Sequence, residues 1–427
     1  MKNILEELKN FRLEMANAGF FNAMDLKNRM ESVFESEGYR QKNSDNIENI
    51  LIVHDAGVGD FINLSPAIKA LRNKFPKSRV TLICESKTYF LARSCPYVDS
   101  IFLNSKCYDW EEFIPMFDWQ LELVEKIPAV KFDIAFCFCH RIGSILLAYM
   151  LGSKTIVHYN STAICSPNNF ELRIVVPLIN RYIKTNFSKP HIVDRYLCML
   201  DGFFEQPIED RELEIWYEPK SMDTAKKIFV EHGLIGKIVF ALSMGGSSLD
   251  KHYPPEKYAE LARRISERVP NAVFVNIGGS SDIESAEKFS NAFNDSERFI
   301  NLVNRLNYAE TAALISLCDC YIGNDTSAVH ISAAMKIPCL QPNCFPMDHE
   351  LKFDSSPLMY YPYRVPSISV MPIRSLPECV ESEKFRGCGI ETEPHCITQI
   401  SVDSMLAGFD MLLKKIQKHD STPNFIY

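Results

Sequence analysis

The first 38 residues place hydrophobic side chains three and four positions apart, which is the spacing of an amphipathic helix. This spacing predicts two helices ahead of the first core strand. Residues 39–47 are polar and are interpreted as a linker. We therefore expect residues 1–48 to form an N-terminal helical extension of the main fold.

From residue 49 onward, short apolar runs alternate with stretches of helical periodicity, and the alternation begins again at residue 237. The first series predicts strands at residues 49–55, 79–86, 98–104, 132–139 and 153–159. The second series predicts strands at residues 237–246, 271–279, 299–303, 319–325 and 337–343. Strands that are apolar throughout and separated by helices are typical of parallel sheets covered by helices on both faces.

This repetition predicts an α/β fold of two Rossmann-like domains, with parallel sheets that face each other across a ligand-binding cleft. Residues 213–219 are interpreted as the crossing, so one domain is expected over residues 49–212 and the second over residues 213–375. Residues 376–427 are a cysteine-containing tail that ends in an amphipathic helix. In the less regular stretch before the crossing, a helix is expected around residues 172–184.

Composition and charge limit the classes of protein to which the chain can belong. The chain has 427 residues, 46% of them hydrophobic and 23% charged, which suits two globular domains of about 200 residues each. The net charge of −8 disfavours nucleic acid as a partner. Fourteen cysteines, several inside apolar segments, fit a reduced cytoplasmic protein. The charged start does not resemble a secretory signal, and the longest apolar run is too short to span a bilayer.

The loop after the first predicted strand contains Gly57, Gly59 and Asp60, the last at the start of a helix. Paired glycines let the backbone turn tightly and approach a ligand. Ile62 stands at the third glycine position of a dinucleotide-binding G-x-G-x-x-G, which disfavours an NAD-dependent dehydrogenase. Asp60 has two interpretations, as a partner of the helix dipole or as a general base.

The second series carries residue types that bind a diphosphate. Small and glycine residues after its first strand expose backbone N–H groups beside a lysine; they are Ser243, Gly246, Ser247 and Lys251. The alternative is a flexible surface loop with a solvated lysine, although the combination suits a diphosphate. A weaker signal follows the next strand, where Gly278 precedes Glu284, because a carboxylate beyond such a loop often contacts a ribose.

The loop before the predicted helix at residues 327–336 contains Asp325, Thr326 and Ser327, with His330 about one turn later. A helix N-terminus offers unpaired N–H groups and a partial positive charge to an anion. The alternative is that the two hydroxyls only cap the helix. Asp325 does not favour phosphate, so it would orient other groups or bind sugar hydroxyls, and a lone helix histidine is more often packed than functional.

From about residue 49 to about residue 408, these segments resemble glycosyltransferase family 9, the ADP-heptose:lipopolysaccharide heptosyltransferases. ILIVHDAGVGDFINLSPAIKALRNKFPKSRVTLIC is similar to the family's opening strand, Gly-Asp loop, helix and second strand. LSMGGSSLDKHYPPEKYAELARRI resembles its sugar-donor loop, and GNDTSAVHISAAMKIPCL resembles its D-[ST]-G-x-x-H-x-A-A segment.

The resemblance implies a GT-B fold and an inverting transfer that uses neither a cofactor nor a metal. Asp60 would be the general base and Lys251 would stabilise the diphosphate leaving group. The implied partners are a nucleotide-sugar donor and a glycolipid or glycan acceptor, with peripheral contact at the inner face of the membrane. Asp325 matches the family's sugar contact, and Thr326 and Ser327 match its diphosphate contacts. Glu284 matches its ribose contact and His330 its histidine.

Departures from the family pattern keep alternatives open. Ser327 stands where the family has glycine, Ser332 replaces the first alanine of the small-residue run, and Tyr253 replaces the common tryptophan. A family member with another nucleotide sugar or a protein acceptor, a sugar-nucleotide 2-epimerase and a non-catalytic sugar-nucleotide-binding protein are the competing interpretations.

Two further segments have a functional and a structural interpretation. Cys379, Cys388 and Cys396 lie near His395, and these are ligand types for zinc or iron, but the spacing lacks a close C-x2-C pair and plain packing residues fit equally. We expect no metal. Residues 172–189 mix apolar and basic side chains, which suits a surface-seeking helix or an ordinary amphipathic one.

Overall fold

The computed structural model describes residues 2–18, 21–39, 46–104, 113–139, 141–160, 174–184, 191–246, 248–348, 357–377 and 395–427. The chain forms two compact units. The N-terminal unit comprises Met1–Lys189 and Val193–Arg211, and the C-terminal unit comprises Pro190–Ile192 and Glu212–Tyr427. Among the helices of the described ranges, none has the length and apolar character needed to cross a bilayer.

The N-terminal unit is a six-stranded parallel sheet with helices. Its helices are α1 (Lys2–Ala18), α2 (Ala23–Ser36), α3 (Val58–Lys74), α4 (Tyr89–Ala92), α5 (Phe113–Lys126), α6 (Ile142–Met150) and α7 (Ile192–Phe204). Its strands are β1 (Asn49–His54), β2 (Arg79–Cys84), β3 (Ser100–Leu103), β4 (Ile134–Cys137), β5 (Thr155–Asn160) and β6 (Arg181–Lys184). They run in the order β3-β2-β1-β4-β5-β6, so β1 is central and its carboxyl end lies beside the connections that leave β2 and β4.

The C-terminal unit repeats this arrangement with seven parallel strands. Its helices are α8 (Pro219–Glu231), α9 (Pro255–Arg268), α10 (Ile283–Phe293), α11 (Tyr308–Ile315), α12 (Ser327–Ala334) and α13 (Val402–Lys418). Its strands are β7 (Ile238–Ser243), β8 (Ala272–Asn276), β9 (Phe299–Asn301), β10 (Cys320–Gly323), β11 (Cys339–Pro342), β12 (Ser367–Val370) and β13 (Phe425–Ile426). The order β13-β12-β11-β10-β7-β8-β9 makes β7 and β10 neighbours at the centre of the sheet.

The predicted helix around residues 172–184 is wrong over residues 179–184, although Ile174 and Val175 are helical. Val176–Leu178 form a single 3-10 turn, and Arg181–Lys184 form β6, which pairs in parallel with β5. Pro177 lacks the N–H that a continuing helix requires. In the strand that follows, only Ile183 is buried, and its charged neighbours are typical of an exposed edge strand. Residues 179–184 are therefore not part of a surface-seeking helix.

The two N-terminal helices belong to the core of the N-terminal unit. Their buried faces pack with α5 and α6 in one hydrophobic cluster. Phe34 of α2 is fully buried, and its ring meets that of Tyr149 edge to face at a centroid distance of 5.5 Å. The sequence predicted these two helices. It predicted neither α5 nor the packing of the two helices with it.

We expect Phe34→Ala to destabilise the N-terminal unit by about 3–5 kcal/mol, because it removes a large buried ring and leaves a cavity. Leu13→Ala is the matched control, since Leu13 lies on α1 of the same pair and is 58% exposed. That change should cost about 0.5 kcal/mol or less. Urea unfolding measures both, and equal losses for the two variants would contradict the described packing.

Candidate functional site

The turn from β1 into α3 places Asp60 in the first turn of α3. Gly57 precedes the helix with an extended backbone, and its carbonyl oxygen accepts a hydrogen bond from the Phe61 amide at 3.0 Å. A Cβ on Gly57 would lie 3.6 Å from Oδ2 of Asp60, so the carboxylate folds back over the glycine. Gly59 lies in the same turn. A carboxylate in this position is favoured by the helix dipole, whatever its chemical role.

A buried carboxylate network supports this turn. Asp55, the residue after β1, accepts a hydrogen bond from the Ser144 hydroxyl at 2.6 Å and one from the Asn104 side-chain amide at 3.2 Å. The Trp119 indole N–H donates in turn to Oδ1 of Asn104 at 2.6 Å. The network joins the end of β1 to α5, α6 and the residue after β3. Sequence analysis missed it, because these four residues have no common spacing along the chain.

Several charges meet at the carboxyl edge of the N-terminal sheet. Burial raises the pKa of the Cys139 thiol well above its usual range; the charges of Asp55 and Asp60 also raise it, whereas Arg141 lowers it. Burial, and then Arg141, lower the pKa of His54 to about 3, which leaves the imidazole neutral. Asp55 is buried while Asp60 is partly exposed. Of these two carboxylates, Asp60 is therefore the one that a ligand can reach.

In the C-terminal unit, Lys251 and Asp325 form an ion pair with Nζ and Oδ2 2.8 Å apart. Lys251 ends the 3-10 turn after β7, and Asp325 follows β10, so the pair joins the two central connections of the sheet. Their side chains are 28% and 15% exposed. The negative charge of Asp325 raises the pKa of Lys251 despite burial, so the amine stays protonated.

Thr326 caps the start of α12, as the capping interpretation predicts. The Thr326 hydroxyl oxygen accepts a hydrogen bond from the Ala328 amide at 3.2 Å, and Ser327 is the first helical residue. Ser243 ends β7 and is buried. The Val329 amide donates to the carbonyl oxygen of Thr326 at 3.2 Å, so two amides of this first turn are already in use. The positive end of the helix dipole still lies here. Contacts of the two hydroxyls with a phosphate stay predictions.

His330 is buried in α12 behind Asp325, with its Nε2 4.0 Å from Oδ1 of that carboxylate. Its ring also meets that of Tyr360 edge to face at 6.1 Å. Burial lowers the pKa of His330 to about 4, although the charge of Asp325 opposes the shift. The imidazole is therefore neutral near pH 7 and packs as an uncharged side chain.

Three glycines allow close approaches around the loop after β7. A Cβ on Gly246 would lie 3.0 Å from Cδ2 of His252, which is tighter than an ordinary contact. A Cβ on Gly245 or on Gly278 would overlap the carboxylate of Asp282. This carboxylate accepts a hydrogen bond from the Gly279 amide at 2.8 Å. Asp282 therefore links the loop after β7 to the loop after β8.

Glu284, which the sequence proposed as a ribose contact, lies in the first turn of α10. Its carboxylate is 2.8 Å from Nζ of Lys288, and the side chain is 79% exposed. Sequence analysis did not single out Asp282, two residues earlier, although this carboxylate is the one that packs between the two glycine-containing loops. A ribose contact by Glu284 stays a prediction.

Other candidates fall partly outside the described residues. Ser247, Cys379 and Cys388 lie there, so their predicted roles gain no structural description. His395 and Cys396 are described and buried. Within the ranges that the structure describes, no group of three or more histidine, cysteine, aspartate and glutamate side chains is arranged to hold a metal ion.

Solved glycosyltransferases share the fold of this chain. The chain matches a family 9 glycosyltransferase from Veillonella parvula with a TM-score of 0.67 and 18% identity, over 86% of this chain and 98% of that one. It matches an ADP-heptose lps heptosyltransferase II from E. coli with a TM-score of 0.60 and 16% identity, over 86% and 99%. The fold is GT-B, as predicted.

Sequence comparison identifies the family within this fold. The model of glycosyltransferase family 9 (heptosyltransferase) matches residues 121–341, just over half of the chain. A putative glycosyltransferase from Haemophilus influenzae is 24% identical over 301 residues, 69% of this chain and 82% of that relative. The chain therefore belongs to glycosyltransferase family 9 and is a glycosyltransferase.

The buried neutral state of His330 predicts a pH-dependent stability. The folded pKa of about 4 lies below the usual 6.5, so on acidification the unfolded chain binds a proton first. The stability contributed by the neutral imidazole is complete above pH 6.5 and is lost as the pH falls towards 4. Between pH 6.5 and 5 this loss is about 2 kcal/mol.

We expect His330→Gln to reduce the acid sensitivity of the unfolding free energy by about that amount, whereas His232→Gln, at an exposed position after α8, should leave it unchanged. Urea unfolding at pH 7 and pH 5 measures the difference. An unaltered pH dependence in His330→Gln would show that this imidazole is not held neutral.

Proposed function

We propose that the chain catalyses an inverting, metal-independent transfer of heptose from ADP-heptose to a lipopolysaccharide-core or related glycan. The observation that carries this proposal is the Lys251–Asp325 ion pair beside the start of α12. It positions a protonated amine beside the positive end of α12, where a sugar nucleotide's diphosphate would bind. The name of the solved E. coli relative supports ADP-heptose as the sugar donor.

In the proposed reaction, the Asp60 carboxylate accepts the proton of an acceptor hydroxyl. The resulting oxygen nucleophile attacks the anomeric carbon of the sugar donor, and a new glycosidic bond forms. The bond from that carbon to the distal phosphate oxygen breaks, and its electron pair leaves with the nucleoside diphosphate. Because this is a single displacement, the anomeric configuration inverts.

The leaving nucleoside diphosphate gains negative charge as the bond breaks. Lys251 stabilises this charge most where it is already positioned, since a preorganised cation needs no rearrangement in the transition state. Asp325 keeps the amine protonated and oriented, and it would also contact sugar hydroxyls. With this cation and the positive end of α12, we propose that no divalent metal is required.

The proposed acceptor is a glycolipid or another glycan. A lipid-linked core oligosaccharide would require the enzyme to act at the inner face of the membrane as a peripheral protein. Glu284 at the start of α10 and the hydroxyls of Thr326 and Ser327 are the proposed additional contacts with the sugar donor. We propose no cofactor.

We expect nucleoside-diphosphate release from ADP-heptose in the presence of EDTA and a core-truncated lipopolysaccharide extract. UDP- and GDP-sugars complete the panel. Asp60→Asn should lower kcat by about 100-fold or more, because the base is lost while the side-chain shape is kept. The matched control is Glu85→Gln, which makes the same change after the neighbouring strand β2 and should retain activity.

Each outcome separates one part of the proposal from the others. Release from a different nucleotide sugar would replace the sugar donor and keep the mechanism. Release that requires Mg²⁺ would contradict metal independence. Full activity in Asp60→Asn would remove Asp60 as the base. If ADP binds tightly but no donor turns over with the glycan extract, the proposed acceptor is wrong.

A further inference from the structure

One buried amide joins the two loops that carry the ion pair. The Asn324 side chain donates hydrogen bonds from Nδ2 to the carbonyl oxygens of Met244 and Gly245, at 2.6 and 3.0 Å. Its Oδ1 accepts from the Tyr258 hydroxyl at 2.7 Å and from the Tyr253 amide at 3.3 Å. Both N–H groups and the oxygen of this amide are thus in use.

The backbone of Asn324 adds two further connections. Its amide donates to the carbonyl oxygen of Ser243 at 2.9 Å, and its carbonyl oxygen accepts from the Tyr321 hydroxyl at 2.9 Å. Gly323 makes this approach available, because a Cβ there would overlap the backbone of Ser243 and the Tyr321 hydroxyl. Asn324 is itself fully buried, so water does not compete for these bonds.

The partners of Asn324 lie on both sides of Lys251 along the chain. Met244 and Gly245 begin the loop that leads to Lys251, and Tyr253 follows that lysine by two residues. Asn324 therefore holds the segment on both sides of Lys251 through one side chain. Asp325, the partner of Lys251, is the next residue after Asn324.

We propose that Asn324 is the positioning residue of the sugar-donor site: it sets the separation of Lys251 and Asp325 and thereby the place of the charge that meets the diphosphate. This inference rests on the proposed function, because it assigns a purpose to the donor-side loops. It acts through Lys251 rather than by touching the substrate.

The chemistry of position 324 requires an amide. A carboxylate there would present oxygen atoms to the carbonyl oxygens of Met244 and Gly245, which repel it and receive no hydrogen bond. Protonation of that carboxyl would restore one O–H donor. Asn324→Asp should therefore bind ADP weakly at high pH, and its affinity for ADP should recover partly as the pH falls. Asn324→Ala has no titratable group at this position, so its affinity should not recover.

The strand itself offers a matched control at its other end. Asp319 precedes β10 and accepts a hydrogen bond from the Val239 amide of β7 at 2.8 Å, just as Asn324 ties β10 to β7 at the carboxyl end. Asp319→Ala removes one exposed connection between the same two strands without touching the loops. Weakened pairing of β7 with β10 would affect both kinds of variant, whereas loss of positioning affects only those at 324.

The test compares wild type, Asn324→Asp, Asn324→Ala and Asp319→Ala in two measurements. Hydrogen–deuterium exchange of peptides covering residues 244–253, without ligand, should be faster in both Asn324 variants and unchanged in Asp319→Ala. Calorimetric titration with ADP should show a Kd raised by about tenfold or more in the Asn324 variants and within about twofold in Asp319→Ala. For Asn324→Asp, the ratio of its Kd to that of wild type at the same pH should fall from pH 8 to pH 6.

Unchanged exchange in the Asn324 variants, or an equal increase in Asp319→Ala, would overturn the positioning role. So would faster exchange with an unaltered ADP Kd, since the loops would then move without consequence for the diphosphate. If wild type does not bind ADP, the proposed function fails for this nucleotide, while the exchange measurement still decides whether Asn324 holds the loops.

Discussion

The proposed chemistry depends on a partly buried ion pair between Lys251 and Asp325. Burial alone would favour the neutral amine, but the adjacent carboxylate more than offsets this and raises the pKa of Lys251. The pair exists only because β7 and β10 are neighbours, which brings the connections after both strands to one edge of the sheet. Removing either partner would leave a charge partly buried without its counterion, which is costly. The arrangement therefore holds the protonated amine of Lys251 in one place, unlike a solvated surface lysine.

The two units use their central strands in related ways. In each, the connection at the carboxyl end of a central strand is held by a buried polar side chain, Asp55 after β1 and Asn324 after β10. Asp55 anchors the turn that carries Asp60, and Asn324 anchors the loops that carry Lys251 and Asp325. The partly exposed side chains of Asp60, Lys251 and Asp325 are thus supported by neighbours that are buried and hydrogen-bonded. This is how a loop acquires the rigidity that a preorganised site needs.

The sequence predicted ten of the strands, and most of these are apolar runs buried on both faces, whose signal does not depend on their surroundings. It failed at β6, where an edge strand beside Pro177 mixes charged and apolar residues as a surface helix does. The positions of Asp60, Lys251 and Asp325 could be anticipated because they follow recognisable glycine-containing turns. Asn324 and Asp282 could not, because their importance comes from partners about 40 to 80 residues away, which only the folded sheet brings together.

The central role of Lys251 is tested most directly by how strongly the protein discriminates ADP from AMP. We expect wild type to bind ADP more tightly than AMP, and Lys251→Met to lose most of that difference, about tenfold or more, while its affinity for AMP changes little. The double variant Lys251→Met/Asp325→Asn removes both charges together, so it leaves no unpaired carboxylate. If the missing cation is the cause, this variant should lose the preference for ADP over AMP to the same extent. If Lys251→Met still prefers ADP as strongly as wild type, Lys251 does not hold the diphosphate and the proposed leaving-group stabilisation is wrong.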